Sequence, residues 1–108
     1  MVFQNNKGNI YSPNIIALPL TSSIKKLNLP THVFLSAVKT GLRKDSIVLC
    51  ENPERMSKER IGNYITSLDN EQMALVVEAF ILATSAISFL KEDALLEIYN
   101  KAISLNAT

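Results

Sequence analysis

The stretch DNEQMALVVEAF at residues 69–80 marks the point at which the sequence changes from strand-like to helical patterning. Asp69 and Gln72 have the spacing of a capping box, in which each side chain bonds the backbone amide of the other residue at a helix start. From Met73 onward, mostly apolar residues recur at spacings of three and four, which places them on one helical face. This face is predicted to pack in the core or at a dimer interface. Its members are Met73, Val76, Val77, Phe80, Ala83, Thr84 and Ile87.

The residues before this helix are typical of short strands separated by turns. Pro19 interrupts the first apolar run and must therefore lie at a strand edge or irregularity. The predicted strands are residues 15–20 (IIALPL), 31–35 (THVFL) and 46–50 (SIVLC). The predicted turns are residues 5–9 (NNKGN) and 52–53 (NP). A second helical pattern covers residues 91–105, and strands followed by helices indicate a small α+β domain.

Composition excludes several kinds of site. A chain of 108 residues with 47% hydrophobic residues has room for one globular domain. Cys50 and His32 are the single cysteine and histidine, so the chain can form neither an internal disulfide nor an ordinary zinc site. Cys50 is predicted to be a small core residue. The longest apolar stretch, near residues 73–90, is interrupted by Glu78 and hydroxyl residues, which predicts a cytoplasmic protein without a membrane helix.

Charge is distributed unevenly along the chain. Residues 1–60 contain nine Lys or Arg and four Asp or Glu, a net charge of +5. Residues 61–108 contain two basic and six acidic residues, a net charge of −4. A basic first half points to an anionic partner such as a nucleic acid, while ordinary solvated surface charge is the alternative.

One cluster of polar residues has the chemistry of a phosphate site. Thr21-Ser22-Ser23 follows the first apolar run, and Lys25-Lys26 comes soon after. Hydroxyls and amides at a strand end can hold a phosphate whose charge nearby lysines compensate. Without other information, the hydroxyl cluster is also typical of loops and caps. His32 is predicted to be a surface residue at a strand end, with RNA contact or proton transfer as the alternative.

A series of short motifs occurs in order between about residues 2 and 90. They are QN at 4–5, GN at 8–9, YSP at 11–13, Thr21, LPTHV at 29–33, GLRKDSIVL at 41–49, Glu51, Lys58, Arg60 and LD at 68–69. Together they resemble the MazF/PemK toxins of bacterial type II toxin–antitoxin systems. The resemblance implies an α+β fold, a small SH3-like β-barrel with packed helices that CcdB-type toxins share. It also implies a homodimer.

The resemblance further implies an activity. MazF/PemK toxins are endoribonucleases that cleave single-stranded RNA, including mRNA, at short sequences without a metal or cofactor. The RNA 2′-hydroxyl attacks the adjacent phosphate, which leaves a cyclic phosphate and a free 5′-hydroxyl. Such catalysis needs a base, an acid and positive charge near the phosphate. The expected partners are single-stranded RNA, a cognate antitoxin and a second copy of the chain, with no membrane.

Thr21 matches the family's catalytic threonine, and five further residues match its substrate-binding region. The five are Ser22, Leu29, His32, Glu51 and Asn52. The family's catalytic arginine lies in a Gly-x-Arg-Pro motif before the strand that matches Gln4, and no such motif occurs in this sequence. Arg55 is not expected to substitute for it, because a guanidinium acts only when its fork is correctly placed.

The missing motif also predicts a domain organisation. Residues 1–90 are expected to form a toxin domain that lacks its first strand, and residues 91–108 an additional helical extension. A barrel without that strand has an open hydrogen-bonding edge, which predicts self-association. One alternative is a non-catalytic remnant that only dimerises or binds antitoxin. Another is a CcdB-like toxin that poisons gyrase, although the LPTH and GLRKDSIVL motifs favour the ribonucleases.

Overall fold

Five short strands form two separate antiparallel sheets in the part of the chain that the structure describes. The computed structural model describes residues 1–4, 6–23 and 29–106. One sheet pairs β1 (Asn14–Ala17) with β5 (Glu54–Ser57). In the other, β4 (Ser46–Leu49) lies between β2 (Leu20–Thr21) and β3 (His32–Leu35). The predicted α+β content is confirmed, but over these residues the two sheets do not close into a barrel.

The predicted strand at residues 15–20 is present and breaks at Pro19, as its sequence requires. Pro19 has no amide hydrogen to donate, so strand pairing cannot continue unchanged through it. Its carbonyl accepts a hydrogen bond from the Leu49 amide at 2.9 Å, while the Leu18 amide donates to the Met1 carbonyl at 2.7 Å. The same run of backbone therefore belongs to both sheets.

The first residues of the chain pair with the outer edge of β1. Val2 forms a bridge with Ala17, and the Phe3 amide donates to the Ile16 carbonyl at 2.8 Å. The predicted turn at residues 5–9 is wrong, because α1 (Asn6–Tyr11) is a helix. This helix contacts the last helix of the chain, so tertiary packing prevails over the local turn preference of Asn and Gly.

The helix predicted from Asp69 is confirmed as α3 (Asn70–Thr84). The Gln72 amide donates to Asp69 Oδ1 at 2.8 Å, and the Asp69 amide donates to Gln72 Oε1 at 3.0 Å, which completes the capping box. Ser85 ends the helix with a left-handed backbone (φ 54°). Ile87 consequently lies beyond the helix, in a 3-10 turn at Ala86–Phe89, and is exposed rather than part of the core face.

The core lies between α3 and the three-stranded sheet. Val76 and Ala79 are the buried residues of α3. Cys50 is completely buried, which confirms its predicted core position, and burial together with the nearby charge of Glu51 raises the pKa of its thiol to about 11. The buried residues that form one continuous cluster are Leu18, Val33, Leu35, Val48, Cys50, Val76 and Ala79.

Three further short helical segments, of which one is a 3-10 turn at Glu92–Ala94, and a C-terminal helix complete the fold. α2 (Ala37–Thr40) ends at Gly41, whose φ of 83° is readily available to glycine, and a 3-10 turn covers Lys58–Arg60. The predicted C-terminal helix is present as α4 (Leu95–Asn106) and contacts α1. None of the helices in the described ranges is long and apolar enough to cross a membrane.

Residues 61–68 run along an apolar groove without joining either sheet. The groove has a volume of about 450 Å³, and residues 60–66 and 68 are among those that line it. Ala17 of β1 and Met56 of β5 also line the groove, together with Val2, which bridges to Ala17. No residue of α4 lines this groove, so among the described residues the C-terminal helix does not cover it.

Candidate functional site

Thr21 lies at the end of β2, as its place after the apolar run predicts. It pairs with Ile47 on β4, and its side chain is partly exposed. Its Oγ1 accepts a hydrogen bond from the Ser23 amide at 3.1 Å. Because a hydroxyl also carries its own proton, Thr21 can donate to an anionic oxygen while this contact holds it in place.

His32 and Glu51 form a close pair at the opposite end of β4. His32 begins β3 opposite Leu49, and Glu51 follows β4 where the chain turns. Their atoms Nε2 and Oε1 are 2.7 Å apart, and the side chains are 2% and 33% exposed, respectively. The predicted surface position of His32 is therefore wrong. Glu51 contacts the ring at Nε2, and His32 shares a small cavity with Leu75 and Leu82 of α3.

The environment of Glu51 favours its charged form. Burial acts to raise the pKa of this carboxyl, but hydrogen bonds from the His32 ring, its own backbone amide and Thr31, together with the charge that His32 can carry, act against burial. The balance lowers the pKa below its ordinary value of 4.5. Glu51 is thus an anchored anionic acceptor at the edge of the sheet.

The stability contributed by this pair should depend on pH. A carboxyl whose pKa is lower in the folded than in the unfolded chain stabilises the fold above its unfolded pKa and loses that contribution as pH falls through the folded pKa. We therefore expect the difference in unfolding free energy between the wild type and Glu51→Gln to shrink below about pH 4.5. Urea denaturation from neutral to acidic pH measures it.

A matched control is Glu54→Gln, which changes an exposed glutamate on β5 that makes no ion pair within the described ranges. Its stability should track the wild type at every pH. A Glu51→Gln difference that stays constant through the acid range would contradict the assigned role of the pair.

The structure places Thr21 and His32 on one face of the sheet but does not bring them into contact. Thr21 and Phe34 both pair with Ile47, and His32 lies two residues before Phe34, so the three side chains share a face. From the spacing and rise of strands, the Cα atoms of Thr21 and His32 are about 12 Å apart. Thr21 and His32 therefore do not form a single catalytic cluster, and Ile47 on the strand between them is almost fully buried.

The other predicted site residues lie around this face. Ser22 and Asn52 are exposed in the chain segments that follow β2 and β4, and Leu29 is 54% exposed, with its carbonyl accepting from the His32 amide at 3.1 Å. The predicted phosphate contacts of Lys25 and Lys26 lie outside the described residues. Exposed Arg43 and Lys44 precede β4 at the end where Thr21 lies, and they can supply positive charge there.

Arg55 belongs to the other sheet. It lies on β5 and pairs with Ile16, whereas Thr21 belongs to the sheet built around β4. The structure therefore does not place Arg55 beside Thr21 on one sheet. Among the described residues, no three His, Cys, Asp or Glu side chains are grouped to hold a metal ion.

Phe34 is a candidate site residue that the sequence interpretation missed. It is 46% exposed and shares the face with Thr21 and His32. An exposed aromatic ring is a platform on which an unpaired base can stack. The period-two alternation of residues 31–35 could have identified it, because that pattern places His32 and Phe34 on the same side of the strand.

Comparison with known proteins identifies the family to which this arrangement belongs. The model of the PemK-like, MazF-like toxins of type II toxin–antitoxin systems matches residues 1–84. The chain belongs to this toxin family. A relative is endoribonuclease EndoA of Bacillus subtilis (strain 168), which is 39% identical over 89 residues, or 82% of this chain and 77% of EndoA. The recognition of the MazF/PemK family from the sequence motifs is confirmed.

Solved structures of MazF/PemK-type toxins have the same fold. The Mycobacterium tuberculosis toxin MazF-mt6 superposes with a TM-score of 0.71 at 25% identity and covers 79% of this chain and 83% of its own. A mycobacterial endoribonuclease solved in complex with its cognate antitoxin gives a TM-score of 0.66 at 22% identity and covers 79% of this chain and 78% of its own. The second likeness supports the fold alone.

Proposed function

We propose that this MazF/PemK-type chain acts in the cytoplasm as a metal-independent, sequence-specific endoribonuclease on single-stranded RNA, with a cognate antitoxin as its inhibitor. The observation that carries the proposal is the family match over residues 1–84, which includes Thr21, His32 and Glu51. The 39% identity with an endoribonuclease favours RNA over gyrase as the target.

The proposed chemistry assigns separate tasks to the two ends of the face. Thr21, anchored by the Ser23 amide, donates a hydrogen bond to an oxygen of the scissile phosphate. Arg43 and Lys44 add positive charge at the same end. At the other end, Glu51 accepts hydrogen bonds from a base while His32 fixes its orientation. Phe34 provides a stacking surface between them.

Ser22, Leu29 and Asn52 are proposed to contact RNA at the borders of this face. Each lies beside one of its ends and is exposed. We further propose that residues 1–90 form the toxin domain, of the SH3-like barrel type, that residues 91–108 are an extension, and that the chain is a homodimer.

The sequence lacks the arginine that the family resemblance places at the phosphate. The 108 residues contain no Gly-x-Arg-Pro motif, and Arg55 lies in the other sheet. Thr21 by itself supplies a hydrogen bond but no charge to stabilise the extra negative charge of the transition state. We therefore expect slow cleavage by these 108 residues, and binding without cleavage is the second candidate function.

The product chemistry tests the proposed reaction. The purified chain is incubated in EDTA with a long single-stranded RNA, and the new ends are mapped. Products with a cyclic phosphate and a 5′-hydroxyl are expected, and a 2′-deoxy substitution at the cleaved nucleotide should abolish cleavage while leaving binding intact. Binding without any cleavage would support the remnant, and inhibition of gyrase without RNA binding would overturn the proposal.

A further inference from the structure

A cavity of about 620 Å³ lies between β3, the edge strand of its sheet, and the first two turns of α3. Phe34 of β3 and Leu75 of α3 line it with apolar surface, and polar side chains complete the lining. They include Ser36, Lys39, Glu71 and Gln72. A space of this size with apolar surface and a few polar groups is typical of a site for a small organic group. We call it the Phe34 cavity.

The polar side chains of the Phe34 cavity retain unused hydrogen-bonding capacity. Ser36 is the N-cap residue of α2, yet its hydroxyl makes no capping hydrogen bond. Gln72 accepts from the Asp69 amide through Oε1, which leaves both hydrogens of Nε2 available to a ligand. Neither Lys39 nor Glu71 forms an ion pair with another residue in the described ranges. The cavity therefore offers hydrogen-bond donors, an anionic acceptor and a cation.

The Phe34 cavity lies close to the proposed cleavage site. Thr21 and Phe34 both pair with Ile47, so the spacing of neighbouring strands puts their Cα atoms about 10 Å apart. The side chain of Phe34 is 46% exposed, which leaves part of its ring open to a ligand. An RNA strand with a phosphate at Thr21 can therefore bring a flanking nucleotide to this cavity.

We propose that the Phe34 cavity is a subsite for one unpaired base of the RNA, beside the cleaved bond. The inference rests on the ribonuclease function proposed above and deepens it. The base stacks on the ring of Phe34, as bases of single strands do on exposed aromatic side chains. Lys39 pairs with a phosphate of the same strand, which positions the nucleotide without reading its sequence.

The acidic side chains of the cavity determine which base it prefers. Glu71 offers a free carboxylate, and Asp69, which also lines the cavity, uses Oδ1 to cap α3 and keeps its other oxygen. Carboxylates accept hydrogen bonds from the exocyclic amino groups of adenine, cytosine and guanine, whereas uracil presents carbonyl oxygens and has no amino group. The subsite therefore prefers a base with an amino group over uracil.

A single tryptophan tests the stacking. The sequence contains no tryptophan, so Phe34→Trp introduces one fluorophore into the proposed subsite. The probes are single-stranded decamers of adenylate, cytidylate or uridylate with a 2′-fluoro group on each ribose, which removes the attacking hydroxyl. Adenylate and cytidylate decamers should quench this fluorescence, and the uridylate decamer should bind at least ~5-fold more weakly. Leu96→Trp, at a side chain that is 69% exposed on α4, is the control and should show no quenching.

Substitutions separate stacking from base preference. Phe34→Ala should weaken binding of the adenylate decamer at least ~5-fold through loss of the stacked ring. Val38→Ala, at an apolar side chain that is 94% exposed on α2, should leave binding unchanged. Glu71→Gln should remove most of the preference over uridylate, because an amide can also donate to the carbonyl oxygens of uracil. Glu78→Gln changes an exposed acid on α3 that does not line the cavity, and it should keep the preference.

The outcomes distinguish this subsite from the function on which it rests. A wild-type chain that binds neither the decamers nor the long RNA of the cleavage assay would overturn both. RNA binding by the wild type without quenching in Phe34→Trp, or with equal affinity in Phe34→Ala and Val38→Ala, would overturn the subsite alone. Equal affinity of the wild type for the three decamers would overturn the preference for an amino-bearing base.

Discussion

The purified 108-residue chain is expected to cleave single-stranded RNA at least ~100-fold more slowly than Bacillus subtilis EndoA, because loss of one preorganised group that stabilises transition-state charge typically costs that much. Thr21 can donate a hydrogen bond to the phosphate, but the chain has no Gly-x-Arg-Pro motif to place a guanidinium beside it. Single-turnover cleavage of one RNA by both proteins in EDTA gives the ratio directly.

Thr21 variants show whether the residual cleavage comes from the proposed site. Thr21→Ala should remove the remaining activity, and Thr21→Ser should retain part of it because serine keeps the hydroxyl. Ser23→Ala is the matched control, since Thr21 contacts the backbone amide of Ser23 and not its side chain. Cleavage as fast as that of EndoA, abolished by Thr21→Ala, would show that this chain does not need the family arginine.

A large loss of stability is expected from a substitution of Leu18, the residue at which the two sheets join. Leu18 is fully buried next to the Pro19 break, and its amide holds the N-terminal residues against β1. Leu18→Ala should reduce the unfolding free energy by about 2–5 kcal/mol, because it removes apolar contacts and leaves a cavity in the core. This is a large share of the roughly 5–15 kcal/mol that stabilises a typical domain, and urea denaturation measures it.

Leu96→Ala is the matched control, with the same chemical change at an exposed site on α4. Leu96 is 69% exposed, so the expected change in unfolding free energy is within about 0.5 kcal/mol. Equal effects of the two substitutions would mean that Leu18 is not part of the stabilising core.

The sequence predicted the elements whose signals are local. The apolar runs at residues 15–20, 31–35 and 46–50 are strands, and Pro19 breaks the first of them because it lacks an amide hydrogen. Asp69 and Gln72 form the expected capping box. Strand period and capping chemistry depend on neighbouring residues, so they can be read without the tertiary structure.

Features that depend on distant residues could not be predicted in this way. The helix α1 contacts α4, which lies almost ninety residues away in the chain, and the sequence of residues 5–9 gives no sign of that contact. The burial of His32 depends on Glu51 and on α3, and a single strand pattern contains no information about either. The family motifs pointed to Thr21 and Glu51 as candidate site residues. Only the strand pairing of the folded chain shows that they lie at opposite ends of β4.

The buried thiol of Cys50 can be used to measure how often the core of the native protein opens. A thiol reagent reacts with the thiolate, and here the thiol is shielded from solvent with its pKa raised to about 11. Labelling should therefore require the sheet to separate from α3, so that its rate measures how often this core opens in the native protein. Added RNA or antitoxin that binds the folded chain should slow this labelling, which gives an assay of ligand binding that needs neither catalysis nor an attached probe.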